Sequence, residues 1–323
     1  MGLYENLHDH LFGAPGVWGT KSCPACCALW LDPRPTRATI GEAYRTYYTH
    51  ERESGVAALY NAAVRRLARE RAAQVYGVGS TSPGLALICS LATLLHPALI
   101  DQADLLIRHI PAGAFRPGAR LVDIGCGHGE ALGFLTSLGW QATGVEIDPQ
   151  AVKAARAGGL DVIEGEIGSA GLADEAFDAV TSSHVLEHVH DPRAFLAEGV
   201  RVLKPGGTLV AVTPNSRSEL LDRHGGNWLN LDPPRHLVLF NAENLARLAS
   251  DVGFREIQVK RTARLASLAH IASSGIATGR HGNWGGQPGW RLWLEAKQIE
   301  ARMIRDLRLG RAEGEELVLI ARK

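Results

Sequence analysis

The sequence predicts an α/β protein whose core is a doubly wound, mostly parallel sheet of seven strands, with a helical N-terminal region and cap insertions. Three observations carry this. From Ala119 onward, short apolar runs alternate with amphipathic runs of helical length, which marks βαβ units and a sheet covered on both faces. A glycine-rich turn, Gly125-Cys126-Gly127-His128-Gly129, ends the first apolar run and opens the first amphipathic one. The alternation then pauses twice, at about 216–240 and 261–310, for segments of different texture.

Taken in order, residues 1–50 form a cysteine-containing N-terminal segment and residues 51–115 a helical cap region that includes a helix over Ala57–Tyr76. The apolar run Gly84–Ile100 is read as a buried helix, because it holds a His and a Pro and is short for a bilayer span. Residues 116–323 make the main domain. Its strands are expected at Arg120–Ile124, Ala142–Glu146, Asp161–Ile163, Phe177–Thr181, Leu209–Thr213, Arg255–Val259 and Glu316–Ala321. Helices are expected at Glu130–Leu138, from Pro149, at Asp191–Leu203, Glu243–Val252 and Trp290–Leu309. The turn Lys204-Pro-Gly-Gly207 leads into the fifth strand.

Composition narrows the function. The 323 residues are 46% hydrophobic, enough for a sizeable core, and Lys+Arg and Asp+Glu both number 34. With no net field, neither nucleic acid nor a membrane is expected as a partner. The start, MGLYENLHDHLFG, lacks a signal peptide's basic and apolar regions, and the five cysteines cluster toward one end, so a cytoplasmic protein is expected.

Glycines at the first turn let a backbone approach a ligand closely, and the following helix offers free N–H groups. The G-x-G-x-G spacing departs from the register that cradles a dinucleotide pyrophosphate. Asp123 stands just before the loop, where it repels phosphate but accepts from an ammonium group. Glu146 ends the second strand, 146 − 123 = 23 positions later, where a carboxylate can take both hydroxyls of a ribose.

These residues sit in LVDIGCGHG and GVEIDP, followed by FDAVTSSHVLEHVHDP, RVLKPGGTLVAVTPN and LDPPRHLVLF. Together they resemble the motifs of class I S-adenosylmethionine-dependent methyltransferases, in that family's order and spacing. The resemblance implies a Rossmann-like fold and S-adenosyl-L-methionine as cofactor, with S-adenosyl-L-homocysteine as product. It implies that Asp123, Gly125, Cys126, Gly127 and Gly129 hold the methionine part, and Glu146 with Ile147 the ribose end. It places Glu166 and Ile167 near the adenine, where a Glu stands for the family's usual Asp, and Ser183 and His184 beside the cofactor.

His184-Val-Leu-Glu187-His188 is also a literal H-x-x-E-H, the pattern of an inverted zinc-peptidase helix. It falls at a strand-to-loop exit ended by His190-Asp-Pro192, so it is read as a coincidence of register, and no metal is expected there. A histidine still has work, because methylating a hydroxyl requires removal of its proton. The candidates for that base are His188 and His236.

Cys23-Pro-Ala-Cys26, followed by Cys27, has the spacing of half a zinc knuckle. His8 and His10 are the nearest substitutes for a second half, but free thiols are preferred to a structural zinc. Trp228, Trp284, Trp290 and Trp293 fall in the two interrupting segments, either lining an apolar acceptor pocket or packing a core. The function expected is methyl transfer to a small-molecule hydroxyl. N- or C-methylation, and a non-catalytic cofactor sensor, are the alternatives.

Overall fold

The structure, a computed structural model, describes residues 2–44, 55–79, 83–95, 97–279 and 288–323. Three short strands open the chain: β1 (Gly2–Leu7), β2 (Trp18–Ser22) and β3 (Leu29–Leu31). Helices α1 (Gly55–Tyr76), α2 (Pro83–Leu95) and α3 (Pro97–Leu106) follow. The main domain then alternates through β4 (Arg120–Ile124), α4 (Glu130–Ser137), β5 (Gln141–Glu146), α5 (Pro149–Ala157), β6 (Val162–Glu164), β7 (Phe177–Ser183), α6 (Pro192–Val202) and β8 (Leu203–Pro214). It continues through α7 (Glu219–His224), β9 (Val238–Leu239), α8 (Ala242–Asp251), β10 (Arg255–Thr262), α9 (Ala266–Ala277), α10 (Trp290–Arg308) and β11 (Glu316–Arg322).

Seven strands form the main sheet in the order β10-β11-β8-β7-β4-β5-β6, so the expected α/β class and strand count hold. The pairs from β6 through β8 are parallel, and β11 runs antiparallel to both its neighbours. The chain winds outward from β4 to β6 and then returns to β7 on the other side of β4. The order therefore reverses between β4 and β7, and the carboxyl ends of these two strands flank the crevice where open α/β sheets take ligands.

The central strands are apolar on both sides because helices cover both faces. Phe195, Leu196, Leu245 and Ala249 pack one face, and Leu67, Ala68, Ala103, Phe134 and Leu135 the other. Local chemistry sets the helix starts. Asp148 and Asp191 cap α5 and α6 ahead of a proline in the first turn, and Asn241 and Asn244 form a reciprocal capping box at α8.

Some expectations are corrected. Gly84–Ile100 is not one buried helix: Pro97 starts α3, and Leu87 and Ile88 on α2 are 61% and 55% exposed. Residues 204–207 lie within β8, bulging between the Phe177–Leu203 and Ala179–Thr208 pairs, so the strand begins before the turn instead of after it. The interruptions contain helices α7 and α9. Trp290 and Trp293 are 70% and 52% exposed, so neither packs a core, whereas Trp228 is fully buried; Trp284 lies outside the described residues. The N-terminal strands form a second sheet, β1-β2-β3-β9, which ties residues 2–31 to the segment after β8.

Candidate functional site

Asp123 stands one residue before the end of β4 with its carboxylate fully buried. Arg108 donates to one of its oxygens from Nε (3.2 Å) and Nη2 (2.6 Å), and Thr181 Oγ1 donates to the other at 2.8 Å. The acid is thus already compensated by a buried guanidinium from the turn after α3. Beyond it the glycine loop runs through left-handed backbone at Gly125, Gly127 and Gly129. A Cβ at Gly125 would meet Val185 Cγ2 at 2.3 Å, and one at Gly129 would meet Leu160 Cδ1 at 2.3 Å, so packing forbids side chains there. At Gly127 a Cβ would meet nothing within 4 Å, so this glycine faces open space. Cys126 is buried, and burial, with Asp123 and Glu146 adding to it, pushes its thiol up to about 12. It stays a neutral apolar group, and only its backbone belongs to the loop.

Glu146 ends β5 and accepts three backbone N–H bonds, from Gly127 (2.8 Å), Ile147 (2.8 Å) and Asp148 (2.9 Å). One carboxylate thereby clamps the glycine loop to the start of α5. Ile147 is 60% exposed beside it. Past β6, Glu166 is exposed and lies 3.5 Å from Arg37 of the N-terminal segment, while Ile167 is buried in the core.

Ser183–Val189 leaves β7 as a turn, not a helix, with His184 in left-handed backbone. His184 Nε2 faces Glu316 Oε1 at 2.7 Å and Arg264 Nη2 at 3.1 Å, and its Nδ1 faces Glu187 Oε1 at 3.1 Å. Burial works against its charge, but the hydrogen bonds and charges of Glu187 and Glu316 outweigh burial and raise its pKa to about 9. Burial likewise opposes ionisation of Glu187, yet His184 holds its pKa down at about 2. Thr213 Oγ1 donates to Glu187 Oε2 at 3.0 Å.

His188 Nδ1 lies 3.1 Å from the Arg235 carbonyl and 3.0 Å from the Tyr44 hydroxyl. Burial, then the charge of His236, lowers its pKa to about 4, so it is neutral at physiological pH. His236 Nδ1 lies 2.7 Å from the Asn230 carbonyl. A carbonyl only accepts, so in both rings Nδ1 carries a proton, and in the neutral His188 Nε2 carries the lone pair. The rings meet edge-on, with centroids 4.7 Å apart.

Two buried anchors hold this segment. Arg235 pairs with Asp9 at 2.7 and 2.9 Å and with Asp232, while its guanidinium stacks over Phe12. Glu315 accepts from Ser218 Oγ, Trp228 Nε1 (2.9 Å) and Asn230 Nδ2 (2.8 Å), and burial raises its pKa to about 8.

Residues 99–259 match a family described as a methyltransferase domain. The chain is 40% identical over 128 residues to ubiquinone biosynthesis O-methyltransferase of Xanthomonas campestris pv. campestris strain B100, covering 38% of this chain and 51% of the relative. It is 42% identical over 105 residues to the protein of that name from Xanthomonas oryzae pv. oryzae strain PXO99A, covering 30% and 44%. The chain thus spans about half the length of the curated relatives it matches. A crystal structure of a SAM-dependent methyltransferase from Archaeoglobus fulgidus aligns with a TM-score of 0.47 and 23% identity, covering 68% of this chain and 92% of that one. Residues 99–259 belong to this methyltransferase domain family.

An open cradle at Gly127 adjoins a carboxylate whose backbone bonds hold it in place. Of the sequence-derived site residues, those from Asp123 to His188 fall at or just beyond the carboxyl ends of β4, β5, β6 and β7, and His236 lies on the loop before β9. Arg108, Glu315, Glu316, Arg264 and Tyr44 were not read from the sequence, and no local motif marks them. Among the described residues, one group of three His, Cys, Asp or Glu has ligand atoms close enough for a metal ion: Glu187, His188 and His236, all within 4.8 Å. Sequence reasoning took Glu187 and His188 as a chance match, and the loop that brings His236 to them lies 236 − 188 = 48 positions away. No helix among the described residues is long and apolar enough to cross a membrane.

Proposed function

We propose that the protein transfers the methyl group of S-adenosylmethionine to a hydroxyl oxygen of a small molecule. The observation that carries this reading is the pair of histidines, His188 and His236, each held by a carbonyl at Nδ1 so that Nε2 is the nitrogen left to act, with their rings in edge-on contact. The curated relatives, O-methyltransferases of ubiquinone biosynthesis by name, support oxygen as the acceptor atom.

In this reading Asp123 and the Gly125–Gly129 backbone hold the methionine part, with Arg108 beside the acid. Glu146 takes the ribose hydroxyls, and Glu166 lies toward the adenine. Bound S-adenosylmethionine supplies a methyl group already activated on a sulfonium, so the protein's work is positioning and proton removal. His188 takes the acceptor proton on Nε2, and the Glu187 carboxylate, whose charge favours protonated His188, steadies the imidazolium that forms. His236 is the second candidate, on the loop closed over the same spot. Residues 1–50 and 51–115 act as a cysteine-containing segment and a helical cap on the domain at 116–323, with Cys23 and Cys26 as free thiols.

One observation favours a second reading. The Glu187–His188–His236 group matches a metal's needs as well as a base's, and a divalent ion there would lower the hydroxyl's pKa directly. Assaying methyl transfer to pooled hydroxylated metabolites with and without EDTA tests both readings. Turnover that survives EDTA supports the histidine base. Loss restored by zinc or magnesium supports the metal. Cofactor binding without any product would leave a sensor.

A further inference from the structure

The turn that faces His236 is held from the start of β11. Glu315 stands one residue before that strand and is fully buried. Its Oε1 accepts from Trp228 Nε1 at 2.9 Å and from Asn230 Nδ2 at 2.8 Å, while Ser218 Oγ bonds its Oε2. An indole N–H only donates, so Oε1 is an acceptor whatever the charge of the group. Asn230 lies at the middle of a short helical turn, Leu229–Leu231, and is itself buried. Its two polar ends have different partners. The side-chain amide donates to Glu315, across 85 positions of sequence, and the main-chain carbonyl accepts from His236 Nδ1 at 2.7 Å. The opposite nitrogen of that ring, Nε2, lies 4.0 Å from Glu187 Oε1.

We propose that Glu315 is a positioning residue for His236: by pinning the Asn230 side chain it aims the Asn230 carbonyl at Nδ1, which keeps Nε2 turned toward Glu187. The physical reason is that a carbonyl fixes a ring proton only as firmly as its own peptide is fixed. The turn's backbone is tied outward at its first residue, where Leu229 N–H donates to Ser273 Oγ at 2.8 Å. The amide bond to Glu315 adds a second tie at Asn230 itself, the residue that supplies the carbonyl. Glu315 lies outside residues 99–259, so on this account a residue beyond the family match completes the site. The inference rests on His236 acting through Nε2, and it holds whether that nitrogen meets a proton or a metal.

The test reads the histidine itself, independently of turnover. Long-range ¹H–¹⁵N spectra of histidine-labelled full-length protein are taken at a pH where the ring is neutral, with His236 assigned through His236→Gln. The wild type is expected to show the Nδ1–H form. Asn230→Ala keeps the main-chain carbonyl and removes the amide, and the ratio of Nδ1–H to Nε2–H should then fall by about 2- to 10-fold, the worth of one neutral hydrogen bond. Glu315→Met removes the tie from its other end and should give the same fall. Glu315→Gln retains a carbonyl oxygen for Trp228 and Asn230 and should restore the wild-type ratio. Trp228→Phe takes a different donor from the same carboxylate and should leave the ratio alone. An unchanged ratio in Asn230→Ala overturns the proposal, and so does an equal fall in Trp228→Phe, which would mean general loosening of the segment. A wild-type His236 with its proton on Nε2 also overturns it, and that result needs no variant to fold. Failure of the wild type to bind S-adenosylhomocysteine would instead count against the methyltransferase reading alone.

Discussion

Glu146→Ala should weaken S-adenosylhomocysteine far more than it weakens the fold. The carboxylate has two sets of partners. Three are internal, the N–H groups of Gly127, Ile147 and Asp148. The other set, on the proposed reading, is the ribose, whose hydroxyls lose their acceptor in the variant. The internal donors lie at a half-buried strand end where water can replace the lost oxygen, so the folding cost stays near ~1 kcal/mol. In the complex the ribose covers that place, and the unpaired hydroxyls cost about 1–3 kcal/mol. That corresponds to a rise in Kd of about 5- to 150-fold. Calorimetry on wild type, Glu146→Ala and Glu146→Gln measures it. The Gln variant keeps one carbonyl acceptor and should fall between the other two. A Kd for Glu146→Ala within twofold of wild type, in protein that melts normally, would refute the ribose assignment.

Gly127→Val should abolish measurable binding, because its side chain fills the one open position of the loop. Gly125→Ala and Gly129→Ala should instead lower the melting temperature, since each Cβ would strike a packed side chain at 2.3 Å. Arg108→Met should destabilise by about 3–5 kcal/mol by stranding the buried Asp123 carboxylate, and Asp123→Asn in the same chain should recover part of it, as denaturant unfolding would register. His184 has a pKa of about 9 in the fold against about 6.5 unfolded, so its contribution is complete below the lower value and disappears as pH rises through the higher one. His184→Gln should therefore flatten the alkaline limb of the stability profile, and an unaltered limb would remove the Glu187–His184–Glu316 chain as its cause. Turnover is expected to survive EDTA, and if it does not, the acceptor's activation passes from the base to a metal on Glu187, His188 and His236.

The sheet was legible because its signals are local. Each central strand is a short apolar run, and Asp148-Pro149 and Asp191-Pro192 announce their helices within two residues. The carboxyl edge of β4 and β5 was legible for the same reason, as Asp123, the glycines and Glu146 mark strand ends by chemistry that the neighbouring residues frame. The segment 216–240 gave no periodic signal, because its shape is set from far away: Glu315 holds Ser218, Trp228 and Asn230 across 85 to 97 positions. Arg108 and Tyr44 were equally silent, since each acquires a role only through a partner that the fold supplies. Trp290 and Trp293 were open to two readings and their exposure removes the core one, because helical spacing of tryptophans looks the same whether or not a partner covers them.

The most direct measurement is the carbon-13 spectrum of product formed from methyl-labelled S-adenosylmethionine and the pool of hydroxylated metabolites. A methoxy carbon, absent when His188→Ala is used in place of the wild type, is the predicted result. Label appearing on nitrogen or carbon, or cofactor bound tightly with no labelled product from any hydroxylated acceptor, would contradict it.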